Sequence, residues 1–327
     1  MAKAKNNKNL LKYLIVAAIV IIVPLITPNM YIMQIINLIG IYMILGTGIN
    51  VLTGYTGQLS LGQAAFFGVG AYTTALMNTR AGLPFLVCLI GSVLLTAAFG
   101  VVLAVPALKV KGSYLALLTM GFGEVVRIVM INWTPVTNGT AGIIGIESAS
   151  ILGFKFDTLT KYYYLIAVFV VLCLVYQNIL VKTRTGRAFI AIREDNEAAE
   201  LTGINVTTYK IRAFVLSAVY CGIAGCLYAM MIKYVSPDTF TNNTSSVILW
   251  TAIVGGFGTV IGPVIGGIIM QVLPEALRFL GDWRLVVYGV VLLIVILRFP
   301  GGLYPYVQAM LDKRRAGKAA PAEEGKG

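Results

Sequence analysis

Long apolar runs separated by short polar segments recur from Lys12 to Pro300. Several runs reach the ~20 residues a helix needs to cross a hydrocarbon core. They are continuous rather than alternating, which predicts α-helical spans and argues against a membrane barrel. The pattern predicts spans over residues 13–27, 31–53, 59–78, 84–108, 113–131, 162–180 and 211–232. It then breaks into shorter apolar pieces at 247–257, 260–273 and 285–299. These read as broken or re-entrant helices, which persist at membrane depth only where protein or an aqueous cavity shields the backbone. The expected fold is all-α, a polytopic helical membrane protein of about eight to ten crossings.

Two polar segments orient this pattern. Residues 132–160 contain Asn138, Gly139, Thr140 and Asp157 and few basic side chains, which predicts an outer-face segment. Residues 182–212 form a hydrophilic island with Lys182, Arg184, Arg187 and Arg193, followed by Glu197-Ala198-Ala199-Glu200-Leu201-Thr202-Gly203. Other basic clusters fall at 3–12, 109–111 and 313–318. By the positive-inside rule all of them are cytoplasmic, so the number of crossings is even. The chain thus divides into a basic cytoplasmic tail 1–12, a membrane region 13–303 that includes the cytoplasmic loop 182–210, and a basic cytoplasmic tail 304–327. Residues 1–28 resemble a signal peptide, but no small-x-small cleavage site follows Pro24 or Pro28, and an uncleaved first span is expected.

Composition agrees with the pattern. With 58% hydrophobic and 12% charged residues, the 327-residue chain is outside the range of ordinary soluble domains. The net charge of +12 would suggest nucleic acid in a soluble protein. Here the cations flank the apolar runs, and their expected work is orientation and contact with anionic lipid, with no nucleic-acid partner. Cys88, Cys173, Cys221 and Cys226 all lie in apolar segments without metal spacing, and the chain has no histidine, so buried thiols and no metal site are expected.

Within the island, Thr185-Gly186-Arg187 reads as a turn or hinge and 188–201 as one helix stopped by Gly203. Such a helix is about 20 Å long, enough to fill a cleft on a partner but not to cross a bilayer. Two glycine-rich zones are weakly alike: Thr53-Gly54-Tyr55-Thr56-Gly57-Gln58-Leu59-Ser60-Leu61-Gly62-Gln63 and Val254-Gly255-Gly256-Phe257-Gly258-Thr259-Val260-Ile261-Gly262-Pro263. They hint at an internal repeat, a common plan in transporters. Gly258, Gly262 and Gly266, four apart, read as a helix-packing stripe. No strand-turn-helix unit surrounds these glycines, and the chain lacks GxxxxGK[ST], so a partner would have to hydrolyse any nucleotide.

Polar residues inside apolar runs need partners or water, which directs attention to Gln34, Asn37, Asn50, Gln58, Ser60, Gln63, Thr119, Glu124 and Thr251. Asn50, Gln58, Ser60, Gln63, Thr119 and Thr251 are the candidates for lining a solute pathway. Glu124 and Arg127, three apart on one helix, read as a structural ion pair with pathway lining as the alternative. Glu275, Arg278, Asp282 and Arg284 form an outer-side charged group that admits two readings: docking of a soluble protein, or mutual pairing in a solvated loop.

Three stretches carry a family resemblance across roughly 36–305: Gly54-Tyr55-Thr56-Gly57-Gln58-Leu59-Ser60-Leu61-Gly62, Thr183-Arg184-Thr185-Gly186-Arg187-Ala188-Phe189-Ile190-Ala191-Ile192-Arg193, and Gly255-Gly256-Phe257-Gly258-Thr259 with Gly262-Pro263. Together they resemble the M-type permease subunits of bacterial branched-chain amino acid ABC importers. Glu197-Ala198-Ala199 with Gly203 also resembles the loop by which importer permeases contact their ATPases, although no Ile-x-Leu-Pro follows Gly203. The resemblance implies a non-catalytic subunit in the bacterial inner membrane, paired with an H-type permease, two ATPase subunits that use ATP and Mg²⁺, and an extracytoplasmic amino-acid-binding protein. It implies leucine, isoleucine and valine as cargo and alternating access as mechanism. It also assigns ATPase coupling to Arg184, Gly186, Arg187, Arg193, Glu197, Ala198, Ala199, Glu200 and Gly203. A permease for urea, a sugar or a nucleoside is the alternative, and an ion-coupled secondary transporter a more distant one.

Overall fold

The structure, a computed structural model, describes residues 24, 29–110, 112–151, 153–299 and 301–310. The expected span over 13–27 falls outside them except at residue 24, as do the tail 1–12 and residues 311–327 of the tail 304–327. Helix α1, Met30–Ile49, is capped by Asn29, whose side chain accepts from the Tyr31 N–H, and runs on into a π-helical turn, Asn50–Tyr55. There follow α2 (Gln63–Ala81), α3 (Phe85–Ala107), α4 (Ser113–Asn132) and α5 (Leu159–Lys182). The island holds α6 (Arg184–Glu194) and α7 (Asn196–Leu201). Then come α8 (Val206–Ile232), α9 (Asn242–Gly255), α10 (Gly262–Ala276), α11 (Arg284–Arg298) and α12 (Leu303–Met310).

Among the described residues, five helices are long and apolar enough to span a membrane: α1 with its π-helical extension, α3, α4, α5 and α8. The pair α11 and α12, bent by 50°, makes up to six. Helices α9 and α10 have only 14 and 15 residues, and α2 is less apolar but buried along most of its length. The all-α polytopic fold with broken segments therefore holds, and fewer helices qualify alone than the expected crossings. Hydrophobic length identifies α3, α4, α5 and α8, whereas α2, α9 and α10 depend on protein neighbours to shield them.

Helix α8 is central, packed on α1, α2 and α3, and α1 in turn packs on α5, α9 and α10. Lipid provides no hydrophobic drive between helices, so close backbone approach and polar staples hold them. A methyl added at Gly70 would lie 2.8 Å from the Gly222 Cα, and one at Gly225 2.6 Å from the Phe67 carbonyl oxygen. The buried Ser92 hydroxyl sits 3.1 Å from the Gly70 carbonyl and 2.8 Å from that of Gly222, able to donate to either, and so ties α3 to both α2 and α8. The outward faces of α3, α4, α5 and α11 expose aliphatics such as Leu94, Val102, Leu117, Val125, Leu172 and Leu297. Water would penalise such a surface, and lipid or a second membrane subunit would not.

The polar segment after α4 contains two-residue strands that the apolar pattern does not reveal. Strand β1 (Ile143–Ile144) pairs antiparallel with β4 (Tyr234–Val235), and β2 (Ser150–Ile151) with β3 (Phe154–Lys155). This end of the bundle is laced by Arg80 donating to the carbonyls of Pro135 and Val136 and by the Glu147 N–H donating to Asn78. Glu124 and Arg127 pair at 2.7 Å, and Asn242 at the start of α9 donates to the second Glu124 oxygen at 3.4 Å. The pair thus joins α4 to α9.

Candidate functional site

At the island end two irregular segments meet. The first covers residues 56–62, between the π-helical turn and α2; the second covers 256–261, between α9 and α10. Each follows a helix that runs from the far end towards the island and precedes one that runs back. Gly57, Gly256 and Gly258 have φ of 69°, 122° and 70°, conformations open to glycine with little strain. The two zones that look alike in sequence are joined by Asn50, which is 0% exposed. Its Nδ2 donates to the Thr259 carbonyl at 2.8 Å, and its Oδ1 accepts from the Gly258 N–H at 2.9 Å.

The sequence-selected polar residues cluster around these segments. Thr53 donates to the Gln58 carbonyl at 2.9 Å, and Gln58 Nε2 donates to the Thr56 hydroxyl at 3.1 Å. Thr119 accepts from the Leu61 N–H at 2.9 Å, Ser60 from the Gly62 N–H at 3.3 Å, and Ser245 from the Ala64 N–H at 2.9 Å. Gln63 Oε1 accepts from Ser217 at 3.1 Å and from the Cys221 thiol at 3.0 Å. Thr251 donates to the Val247 carbonyl. Asn50, Gln58, Ser60, Gln63, Thr119 and Thr251 are all buried, and Asn50, Ser60 and Thr119 bond backbone groups that a regular helix would have satisfied by itself.

Gly262 and Gly266 lie on α10, where an added methyl would overlap the carbonyls of Gly256 and Thr251 respectively. Gly258 is not on that helix. It sits in the segment before it, within 2.9 Å of Arg193 Nη1 if given a methyl, so the expected three-residue stripe is a two-residue stripe plus a separate close approach.

The island folds as two helices rather than one helix over 188–201. Asp195, with φ −157° and ψ 118°, breaks the run and caps α7 by accepting from the N–H groups of Glu197 and Ala198. Thr185-Gly186-Arg187 lies in the first turns of α6, not in a hinge, and Gly186 packs against the backbone of Leu180 and Val181. Gly203 ends α7 at φ 83°, with the Ile204 N–H bonded to the Ala199 carbonyl, as the sequence led us to expect. Phe189, Ile192 and Ala199 face the bundle, while Arg184, Arg187, Glu197, Ala198 and Glu200 are exposed and Leu201 is 90% exposed. Arg193 connects this surface to the site: Nη1 donates to the Gly54 carbonyl at 3.0 Å, while Nη2 pairs with Glu194 at 2.6 Å.

A cavity of about 540 Å³ lies between α1, α9, α10 and α11. Tyr31, Glu275 and Arg284 line its far-end rim, and Gln34, Leu38, Tyr42, Val247, Met270, Gln271 and Tyr288 are among its walls. Arg278 beside the rim donates to the Tyr31 hydroxyl at 2.8 Å and to Glu275 at 3.4 Å. The outer charged group therefore contributes Glu275 and Arg284 to a cavity mouth. None of the six buried polar pathway candidates lines this cavity. The signal for it in the sequence was Gln34, an amide in an apolar run; Tyr31, Leu38 and Tyr42 join it on one helical face.

Paired broken helices, buried polar staples and a solute-sized cavity have the architecture of a membrane transport subunit. The chain belongs to the family described as branched-chain amino acid transport system / permease component, whose model matches residues 31–296. It is 35% identical over 302 residues to the high-affinity branched-chain amino acid transport system permease protein LivM of Salmonella typhimurium, covering 85% of this chain and 71% of that protein. The Escherichia coli LivM is 35% identical over 307 residues, covering 87% and 72%. The fructose import permease protein FrcC of Rhizobium meliloti is 30% identical over 151 residues, covering 44% of this chain and 42% of FrcC. No solved structure matches the chain.

Proposed function

We propose that the chain is the M-type transmembrane subunit of an ATP-driven importer of leucine, isoleucine and valine. In this reading it pairs with an H-type permease in a bacterial inner membrane, with both termini and the island cytoplasmic. Two ATPases engage α6 and α7 through Arg184, Arg187, Glu197, Ala198, Glu200 and Leu201, while Gly186 and Gly203 set the helix positions. A binding protein delivers amino acid at the far end, against Glu275, Arg278, Asp282 and Arg284.

The observation that carries the coupling is the Arg193–Gly54 hydrogen bond. Arg193 stands on the exposed helix pair and reaches the first irregular segment, which Asn50 ties to the second. A displacement of α6 by a partner then acts on both segments at once, and only a partner that binds two permease states with different affinity can drive the change. The cargo rests on the LivM relatives, which match over most of the chain. A sugar permease is the second reading, because FrcC matches part of it.

The test is co-expression of the chain with the H-type permease, both ATPases and the binding protein. Co-purification of all membrane and ATPase subunits, with ATP hydrolysis stimulated by leucine-loaded binding protein, is expected. An assembly stimulated by fructose-loaded and not leucine-loaded binding protein would replace the amino acid reading with the sugar reading.

A further inference from the structure

Three properties distinguish the cavity between α1, α9, α10 and α11 from an ordinary packing defect. Its rim carries both charge signs, with Glu275 and Arg284 half-buried on its lining. Its walls carry amides whose polar groups are not spent elsewhere: Gln34 and Asn243 have no hydrogen-bond partner among the described residues. Its remaining lining mixes aliphatic and thioether side chains, among them Leu38, Val247 and Met270, with three tyrosines and Gln271. Tyr31 and Tyr42, both on the lining face of α1, lie eleven positions apart, so the lining extends along about 16 Å of helix. A volume of about 540 Å³ is in the range of small-molecule sites and holds a small solute with some water.

The charges are unequally engaged. Glu275 is shared with Arg278 through a long 3.4 Å contact, a weak exposed pair, while Arg278 makes its shorter bond to Tyr31. Arg284 has no hydrogen bond or ion pair to any side chain the structure describes. A guanidinium is suited to a carboxylate, which it can meet with two parallel N–H donors. A carboxylate and a guanidinium at one mouth complement an ammonium and a carboxylate on one small molecule, and the apolar lining suits a branched hydrocarbon.

We propose that this cavity is the solute site of the permease, with Arg284 receiving the carboxylate and Glu275 the ammonium of a zwitterionic amino acid whose aliphatic side chain lies against Leu38, Val247 and Met270. The assignment rests on the amino acid reading of the cargo. It makes the two charges recognition groups for solute rather than only a platform for a soluble protein. A solute passing this site exchanges water for fixed charges before it meets the irregular segments at the island end.

The test uses the complete assembly in lipid nanodiscs without binding protein, so that the permease's own affinity is read. Binding of leucine, 4-methylpentanoate, which lacks the ammonium, and 3-methylbutylamine, which lacks the carboxylate, is measured by saturation-transfer NMR. Wild type should bind leucine more tightly than either truncated probe. Arg284→Gln should weaken leucine about tenfold and remove its advantage over the amine, the scale of a hydrogen bond to a charged group. Glu275→Gln should remove the advantage over the acid, and Met270→Trp should remove binding of all three. Both rim variants replace partly exposed polar groups, and recovery of assembled complex controls for folding of all three. Leucine uptake by the wild-type importer, with leucine binding unchanged in all three variants, overturns the site alone. Absence of leucine uptake, with fructose carried instead, overturns the reading beneath it.

Discussion

Asn50 is the position where a small change should have the clearest consequence. Asn50→Ala deletes the donor to the Thr259 carbonyl and the acceptor for the Gly258 N–H, at 2.8 and 2.9 Å, in a place with 0% exposure. In soluble proteins a buried group left without its partner costs about 1–3 kcal/mol. Side-chain hydrogen bonds between membrane helices contribute less, about 0.6 kcal/mol on average and up to about 1.7, because the denatured reference in lipid also finds partners. Two lost bonds therefore predict destabilisation of about 1–3 kcal/mol. Asn50→Asp keeps an acceptor for Gly258 but puts a carboxylate beside the Thr259 carbonyl, so its loss should be at least as large. Equilibrium unfolding of the full chain in mixed micelles by SDS titration, followed by circular dichroism, measures both. If Asn50→Ala stays within about 0.5 kcal/mol of wild type, packing alone holds the two irregular segments together and the bridge is incidental.

Three further outcomes follow from the same contacts. Gly266→Val should sharply reduce folded yield, because its Cβ overlaps the Thr251 carbonyl and overpacking at a backbone contact costs about 1–3 kcal/mol or more; detergent-extracted yield and unfolding midpoint report it. Arg193→Ala should leave the chain assembled with its ATPases while lowering uptake per ATP hydrolysed, since it removes the bond to Gly54; unchanged coupling would dismiss that contact as a relay. Leu201→Asp should change the stability of the isolated chain by less than about 0.5 kcal/mol, because the side chain is 90% exposed, yet weaken ATPase co-purification.

Much of the fold is legible in the sequence because a hydrocarbon solvent demands length and continuity. Helices α3, α4, α5 and α8 coincide with uninterrupted apolar runs to within a few residues at most ends. The broken helices are legible as short runs flanked by glycines, and the Gly203 stop as a glycine after a polar helix. What was not legible depends on tertiary partners. Asp195 reads as one more polar residue of a helical island until its side chain is seen to cap a new helix. The bridge from Asn50 to Gly258 and Thr259 links positions more than two hundred residues apart and leaves no local pattern. Glu275 and Arg284 are conspicuous as charges, but only the packing of α10 against α1, with α11 across the gap, puts them at a cavity mouth. The two-residue strands are too short for any alternation to register.

In the proposed function this chain forms part of an ATP-driven path for branched-chain amino acids. Proteoliposomes containing the chain, its H-type partner and both ATPases, supplied with binding protein and labelled leucine, test it most directly. Uptake that requires ATP and is competed by isoleucine and valine but not by fructose is expected. Leucine uptake that continues without ATP, or none with all subunits assembled, would contradict it.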